Sequence, residues 1–476
     1  MIFKKNLIIA AVVFLVIVAL VIFYFDKALF LGLLFVGLLT TATLWIVYKL
    51  KIGGKDLKIL FLIAFLIHLG VVLFIYYANF KPFGEGDFVI YQQIAEQISS
   101  RIHAGNFSLE GINYLHYYPV IIGWIYAITM PVMIVGQLFS AWLAALAVLL
   151  AYLIVVEMGG SKKSAFLVGL IICVYPSFIY FGSLLLKDTV IIPLVLLGLL
   201  LSIKILKNFD VLKFVAFFIV LTFAIHLRFY IGFALMFSFI FCWFLISNLK
   251  IKERLIYGLT FIFIFGFSPL LLGYGYYGSV PLIEYLNRET ITTYREVVYA
   301  PSPEFCDSIK RKNCCAATEE FGSGVGSSFV VKAGFESNTS FIKNYTESFV
   351  YAFFGPFPWQ LKYKRHLFFL AETMPWYFLI CLIVCSIYKS FKTLGYSKTF
   401  NHYKFTILLL AFSAMALGAL SLFINNFGII VRIRMPVFIV IFCLIGLDKN
   451  VDNIVNKAIN YFYEKKFNKF FGLPSL

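Results

Sequence analysis

The chain has 476 residues, of which 62% are hydrophobic and only 13% carry a charged side chain. A soluble protein of this length needs far more polar surface, so the composition excludes one and indicates a multi-pass membrane protein. The formal charge is +17, but the basic residues fall in short clusters between apolar runs. That distribution is typical of cytoplasmic loops and argues against a nucleic-acid partner.

Apolar runs bounded by polar clusters predict about twelve membrane-spanning helices, because roughly 20 apolar residues cross the hydrocarbon core. The predicted spans are 6–25, 28–49, 57–77, 137–156, 164–181, 188–206, 211–226, 229–247, 254–273, 367–388, 405–424 and 430–447. The first run is too long for the apolar part of a cleavable signal peptide, so we predict that it is a retained span.

The orientation of the spans follows from the basic loops. The loops predicted to be cytoplasmic are 49–58, 157–163, 204–213, 248–255, 389–404 and the tail EKKFNKFF. Both termini are then cytoplasmic, and the long loops 79–136 and 274–366 face outward. Counting the apolar run 117–139 as a span would invert everything after it. We therefore predict a helix at the outer interface, broken by Pro119 and Pro131.

The predicted organisation has four parts. They are an N-terminal transmembrane hairpin (1–56), a transmembrane core with the first outer loop (57–273), a second extracytoplasmic loop (274–366), and C-terminal transmembrane helices with a basic cytoplasmic tail (367–476). The second loop contains Cys306, Cys314 and Cys315, which are disulfide candidates in an oxidising compartment. No His accompanies them at ligand spacing, so the sequence does not predict a zinc site.

The first outer loop opens with KPFGEGDFVIYQQIAEQI, in which Glu85 and Asp87 alternate with glycines. An amphipathic surface helix is predicted after them, with Tyr91, Ile94, Ala95, Ile98 and Ile102 on its apolar face and Gln92, Gln93, Glu96, Gln97 and Arg101 opposite. Two interpretations of the carboxylates stay open. In the first, Asp87 caps the helix and the charge of Glu85 is favourable at the positive helix end. In the second, the two carboxylates act as a base or as metal ligands.

Charged residues from three more segments are predicted at the same outer level. They are Lys187 and Asp188 in SLLLKDTV, His226 and Arg228 in AIHLRFY, and Arg432 and Arg434 in NNFGIIVRIRMP. A single cation near a helix end commonly extends to the lipid headgroups, whereas ionisable residues inside spans are costly and are functional candidates. Cations opposite a carboxylate pair suit a phosphate-bearing lipid, with the carboxylate as base or metal ligand.

These segments resemble motifs of the GT-C superfamily of membrane glycosyltransferases, which includes protein O-mannosyltransferases and the aminoarabinose transferases of lipid A. The pattern GD-x3-Y-x2-IA-x2-I (86–98) is similar to their first outer loop, and HYYPVIIGWIYAI (116–128) to their second juxtamembrane helix. YPSFIYFGSLLLKD (175–188) resembles a later segment that ends in an acidic residue. HLRFYIGF, NNFGIIVRIRMP and GPFPWQ resemble segments of bacterial polysaccharide-assembly members.

The resemblance implies an all-α polytopic enzyme that moves a sugar from a polyprenyl-phosphate or pyrophosphate carrier to a glycan, lipid or protein acceptor. The reaction would occur at the outer face of the plasma (inner) membrane. Asp87, with Glu85, would act as catalytic base or help to hold a divalent metal such as Mg or Mn, and Asp188 would be the second acidic position. Lys187, Arg228, Arg432 and Arg434 would bind the phosphate and stabilise charge on the leaving group.

Two other function classes remain open at this stage. An O-antigen-type polymerase or ligase also uses polyprenyl-linked substrates at the outer face, but it would depend on arginines near a large loop rather than on Asp87. A lipid-linked glycan flippase or transporter of twelve spans would show inverted repeats and polar sites at mid-membrane. The charged residues gather at one face here and no repeat is evident, which favours the transferase.

Overall fold

The computed structural model describes residues 21, 23–49, 51, 53–82, 86–114, 116–266, 282, 286–287, 290–291, 338–360, 366–394, 404–424 and 427–447. Within these ranges the regular structure is helical and contains no strand, which confirms the predicted all-α membrane protein. Most of the predicted span 6–25, Glu85, and the disulfide candidates Cys306, Cys314 and Cys315 lie outside the described residues.

The helices are α1 (Lys27–Lys49), α2 (Gly54–Tyr77), α3 (Asp87–His103), α4 (Tyr118–Ile128), α5 (Met133–Glu157), α6 (Lys162–Cys173), α7 (Pro176–Phe181), α8 (Asp188–Lys207), α9 (Val211–Leu227), α10 (Phe229–Ile246), α11 (Ile251–Ile264), α12 (Asn338–Phe354), α13 (His366–Leu394), α14 (Thr406–Phe423), α15 (Phe427–Ile433) and α16 (Met435–Ile445). A short 3-10 turn covers Pro358–Gln360.

Six of the helices in the described part of the chain are long and apolar enough to cross a membrane: α1, α2, α5, α8, α10 and α14. Shorter apolar helices accompany them in the described part of the chain, namely α4, α9, α16 and the stretch 370–385 of α13. Two predicted spans are each divided in two. The run 164–181 breaks before Pro176, and the run 430–447 breaks at Arg434, before Pro436. Proline lacks the amide hydrogen that a continuing helix would use and disfavours helical geometry at the residue before it.

The run 117–139 is also divided, as the prolines predicted. Pro119 lies in the first turn of α4, where its missing amide hydrogen costs nothing. α4 ends at Ile128, and α5 begins at Met133, just beyond Pro131. The Thr129 hydroxyl donates to the Ile125 carbonyl at 2.6 Å, which occupies an acceptor that the ended helix leaves open.

The chain forms two compact units. The first comprises Met1–Leu149 with Phe178–Pro193, and the second comprises Leu150–Ser177 with Leu194–Leu476. Three motif segments fall in the first unit: the GD-x3-Y pattern (86–98), HYYPVIIGWIYAI (116–128) and YPSFIYFGSLLLKD (175–188). The first three residues of the last segment belong to the second unit. The arginine-bearing segments fall in the second.

In the first unit, α3 packs along α4 through a small contact residue. A side chain at Gly123 would bring its Cβ to 2.6 and 2.7 Å from Ile98 and to 3.2 Å from the Ala95 carbonyl oxygen. Glycine therefore lets the two helices approach closely. Ile94, Ile98 and Ile112 form the buried cluster at this contact, and it holds α3 in place from Asp87 onward.

In the second unit, α10 packs against α9, α11 and α14. Aromatic rings fill the contact among the first three of these helices: Phe214 stacks on Phe261 with centroids 4.4 Å apart, and Trp243 meets Phe261 edge to face at 4.6 Å. Asp210 is the N-cap of α9, and its carboxylate accepts the Leu212 amide at 2.8 Å. That hydrogen bond, with others from Lys213, lowers the pKa of Asp210.

We predict that Gly123→Ala lowers the free energy of unfolding by about 1–3 kcal/mol, because the added methyl group forces α3 and α4 apart. The matched control is Gly70→Ala in α2, where a Cβ would meet nothing within 4 Å. This control is expected to be neutral, or stabilising by up to about 1 kcal/mol through helix propensity. Thermal unfolding of both variants in detergent tests the prediction, and equal shifts in the two would contradict it.

Candidate active site

Asp87 is the first residue of α3, and its side chain is half-buried. Gly86 occupies the N-cap position in extended conformation, with φ −133° and ψ −164°. The capping role considered for Asp87 is therefore wrong in detail: the carboxylate stands in the first helical turn, where the positive end of the helix favours its charge. The partner acid of the sequence interpretation, Glu85, is not among the described residues.

The first two motif segments meet through Tyr91 in α3. The Tyr91 hydroxyl and His116 Nε2 are 3.1 Å apart, and the Tyr91 ring lies edge to face against that of Tyr118, with centroids 5.4 Å apart. Together with the packing of Ile98 on Gly123, these contacts bring the GD-x3-Y pattern and the HYYP segment together one helical turn from Asp87.

The predicted apolar face of α3 is confirmed for Tyr91, Ile94, Ala95 and Ile98, which are buried. Gln92 was predicted on the polar face, and this is wrong because the residue is only 8% exposed. Its amide is fully partnered: Tyr126 donates to Gln92 Oε1, and Nε2 donates to Glu96 at 2.6 Å and to the Pro131 carbonyl at 3.3 Å. Burial of the amide is possible because these partners replace water.

The third motif segment reaches the same unit at the start of α8. Asp188 is 3% exposed, and the buried Tyr118 hydroxyl lies close to Ser140, Thr189 and Asp188. Thr189 Oγ1 donates to the Leu186 carbonyl at 2.7 Å, which closes the turn that carries Lys187. The first outer loop and the Lys187–Asp188 turn, distant in sequence, are thus parts of one assembly.

A buried histidine that the sequence analysis did not select stands behind this assembly. His68 in α2 is fully buried, and its Nδ1 lies 3.0 Å from the Ser183 hydroxyl. Its ring meets Phe178 edge to face, with centroids 5.0 Å apart. An ionisable residue inside the predicted span 57–77 was the available signal. The contacts show a residue that anchors the third motif segment to α2.

Two cavities open in the first unit near α3. An open cleft of about 540 Å³ follows the polar side of the helix and is lined by Gln93, Glu96, Gln97, Ser100, Arg101, Gly111 and Ile112. A smaller cavity of about 130 Å³ lies at the Asp87 end of the helix and is lined by Ile75, Tyr76, Asn79, Lys81, Phe88, Met133, Gln137 and Leu184. We call the smaller one the Gln137 cavity. Phe88 places it next to Asp87.

In the second unit, Arg228 lies between α9 and α10 and is 7% exposed. Its Nη1 donates to the Tyr230 hydroxyl, and the guanidinium lies 5.7 Å from the Tyr230 ring centroid. The Tyr230 ring in turn stacks on Phe423 at the end of α14. The cation predicted to bind phosphate is thus held by an aromatic cluster rather than extended toward headgroups.

Arg434 is fully buried at the junction of α15 and α16, and it forms an ion pair with Glu372 of α13. Arg434 Nη2 lies 2.9 Å from Glu372 Oε1, and Nη1 donates to the Ala352 and Gly355 carbonyls at 3.2 and 2.6 Å. The guanidinium also lies 4.5 Å from the Phe438 ring centroid. GPFPWQ and NNFGIIVRIRMP are therefore joined by this one side chain.

Glu372 completes this network, although the sequence analysis did not select it. Tyr175 donates to Glu372 Oε1 at 3.0 Å, and Ser177 donates to Oε2. A carboxylate inside the predicted span 367–388 was the signal that could have identified it. Arg432, two residues before Arg434, is by contrast only partly buried. The phosphate-binding role stays a prediction for both arginines.

Within the described ranges, no group of three His, Cys, Asp or Glu side chains could hold a metal ion. Because Glu85 is outside those ranges, the donor set predicted around Asp87 is represented there by Asp87 alone. The role of Asp87 as a metal ligand therefore stays a prediction.

Comparison with known sequences gives one family match. Residues 96–277, less than half of the chain, match the sequence model described as dolichyl-phosphate-mannose-protein mannosyltransferase. The matched segment runs from the middle of α3 past the end of α11, and it includes Asp188 and Arg228 but not Asp87. No curated protein and no solved structure matches the chain. The family match confirms the resemblance to GT-C membrane glycosyltransferases that the motifs predicted.

Proposed function

We propose that the chain transfers a sugar from a polyprenyl-phosphate carrier to an acceptor hydroxyl on a glycan, lipid or protein. The observation that carries the proposal is the assembly, in one compact unit, of the three motif segments that bear Asp87, Lys187 and Asp188. The family match supports the same donor class, since the matched family is described by a lipid phosphate that carries a sugar. The outer face of the plasma membrane is proposed as the location because the basic loops would lie on the other side.

In the proposed reaction, Asp87 accepts the proton of the acceptor hydroxyl. The oxygen then forms a bond to the anomeric carbon, while the bond from that carbon to the phosphate oxygen breaks. The electron pair of that bond leaves with the lipid phosphate, and attack from the opposite side inverts the anomeric centre. A carboxylate in the first turn of α3 is well placed to act as base because the helix holds its backbone rigid.

In this proposal Lys187, which lies in the same unit as Asp87, stabilises charge on the departing phosphate, and the role of Arg228 and Arg432 in binding a phosphate stays the prediction that the resemblance implied. Cations that are already held in position by the protein stabilise developing charge without reorganisation at the moment of reaction. Arg228 fits this requirement because Tyr230 fixes its guanidinium. Asp188 keeps the Lys187 turn in register with α8, at whose first position it stands.

Arg434 has a different part in the proposal. Its guanidinium is engaged by Glu372 and by two backbone carbonyls, so binding a phosphate there would require these contacts to be replaced. We propose that Arg434 holds the junction of α15 and α16, and that Arg432 on the same segment contacts a phosphate.

Asp87→Asn is expected to lower the rate of sugar release by about 10²–10⁴-fold, the range for loss of a general base. Binding of the lipid should be retained, because the amide keeps the shape of the carboxylate. The measurement is release of mannose from polyprenyl-phosphate-mannose by the protein in liposomes. Glu110→Gln, the same change at an exposed site in the same loop, is the matched control. An unchanged rate in Asp87→Asn would refute its role as base.

The two neighbouring arginines should respond differently to the same substitution. Arg434→Gln leaves the Glu372 charge buried without its cation and should lower the free energy of unfolding by about 3–5 kcal/mol. Arg432→Gln should leave the unfolding temperature unchanged but weaken binding of polyprenyl phosphate by roughly ten- to a hundredfold, the range for one charge-assisted hydrogen bond.

Thermal unfolding and lipid binding in detergent separate these effects. The double variant Glu372→Gln/Arg434→Gln removes both buried charges and should recover part of the stability that Arg434→Gln loses. Wild-type affinity in Arg432→Gln, or wild-type stability in Arg434→Gln, would contradict the division of roles.

A further inference from the structure

Gln137 in α5 is a buried polar side chain that the proposed reaction has not used. It is 2% exposed, and its Oε1 finds no hydrogen-bond partner among the described residues. Leaving a buried acceptor unpaired typically costs about 1–3 kcal/mol of folding stability, so such groups are rare and call for an explanation. The Gln137 side chain lines the cavity beside Phe88, so a bound molecule could supply the missing donor.

The lining of the Gln137 cavity combines polar and apolar residues. Tyr76, Asn79 and Lys81 contribute a phenol, an amide and an ammonium group at the end of α2, whereas Phe88 and Met133 contribute apolar surface. Asn79 adopts a positive φ of 48°, a conformation that asparagine tolerates better than most residues. This turn brings the end of α2 back over the cavity, since the Phe80 amide donates to the Ile75 carbonyl at 3.1 Å.

The volume limits what the cavity can hold. About 130 Å³ has room for several water molecules, each of which takes roughly 30 Å³ in the liquid. It is smaller than the roughly 300–1,000 Å³ of sites that enclose a whole small-molecule ligand. The cavity therefore suits one polar end of a larger substrate.

The unpaired Gln137 Oε1 atom determines which polar group of the substrate fits the cavity. Oε1 is a hydrogen-bond acceptor and requires a donor. At neutral pH a phosphodiester has only acceptor oxygens, and a polyprenyl chain has neither donors nor acceptors. A sugar hydroxyl is a donor, and the flat apolar surface of Phe88 complements the C–H face of a sugar ring.

We propose that the Gln137 cavity receives the sugar of the lipid-linked donor, with one sugar hydroxyl donating to Gln137 Oε1. This inference rests on the proposed function and identifies a specificity-determining residue for the sugar, next to the residue proposed as base. The orphaned amide oxygen is then a stability cost of the free protein that the bound sugar relieves.

The test compares two lipids, polyprenyl-phosphate-mannose and sugar-free polyprenyl phosphate, on Gln137→Met in detergent. Methionine matches glutamine in length but accepts no comparable hydrogen bond. We expect affinity for the sugar-bearing lipid to fall about tenfold, which is the loss of one neutral hydrogen bond, and affinity for the sugar-free lipid to stay unchanged. Without lipid, the unfolding temperature should remain the same or rise, because an unpaired acceptor has been removed.

Gln92→Met is the matched control, because Gln92 is also buried but its amide is fully partnered. It should lower the unfolding temperature and change the affinities for the two lipids by the same factor. The proposal would be overturned if Gln137→Met also lowered the unfolding temperature and changed both affinities by the same factor. It would also be overturned if Gln137→Met bound both lipids as the wild type does. A wild-type protein that does not prefer the sugar-bearing lipid would overturn it as well, leaving a water-filled cavity only.

The proposed transfer reaction can fail separately from this inference. If Asp87→Asn releases mannose at the wild-type rate but Gln137→Met loses selectivity for the sugar-bearing lipid, the sugar site stands and the assignment of the base fails. If Asp87→Asn is inactive and Gln137→Met keeps full selectivity, the reaction stands and the assignment of the sugar site fails.

Discussion

The ion pair between Glu372 and Arg434 shows the constraint on which the rest of this apolar chain depends: a buried polar group must find a partner within the protein. Two opposite charges leave water together, and the hydroxyls of Tyr175 and Ser177 and two backbone carbonyls add further hydrogen bonds to the pair. Such a pair adds little net stability but is costly to break. It therefore fixes which segments meet, and in the second unit it joins α13, the end of α12 and the α15–α16 junction.

The same constraint separates supporting residues from candidate functional ones in the first unit. Gln92 is buried and is partnered by Tyr126 and by the Pro131 carbonyl, which are distant in sequence, so it holds motif segments in place. Gln137 is buried to the same degree, but no partner for its Oε1 lies in the described part of the chain. Two glutamines of similar burial thus have opposite interpretations, and only the arrangement of their neighbours distinguishes them.

Much of the fold could be predicted from the sequence, because it depends on local patterns. Helical spacing of apolar residues predicted α3, and Pro119 and Pro131 predicted the limits of α4. The full-length spans followed from runs of apolar residues. Prolines also divided two runs that hydropathy alone left whole, because a missing amide hydrogen is a local effect that an average over 20 residues conceals.

The candidate site was less predictable, because its partners are remote in sequence. Nothing in NNFGIIVRIRMP indicates that Arg434 meets a carboxylate 62 residues earlier, while Arg432 remains partly exposed. The helical spacing of apolar residues placed Gln92 on the polar face of α3, because that spacing carries no information about its hydrogen-bond partner Tyr126. A motif therefore indicates which residue types a site uses. The role of each residue follows from whether the folded chain already supplies partners for its polar atoms. By that criterion a substrate has most to offer where the protein leaves a buried group unpaired, as at Gln137, and least where it has supplied every partner, as at Glu372.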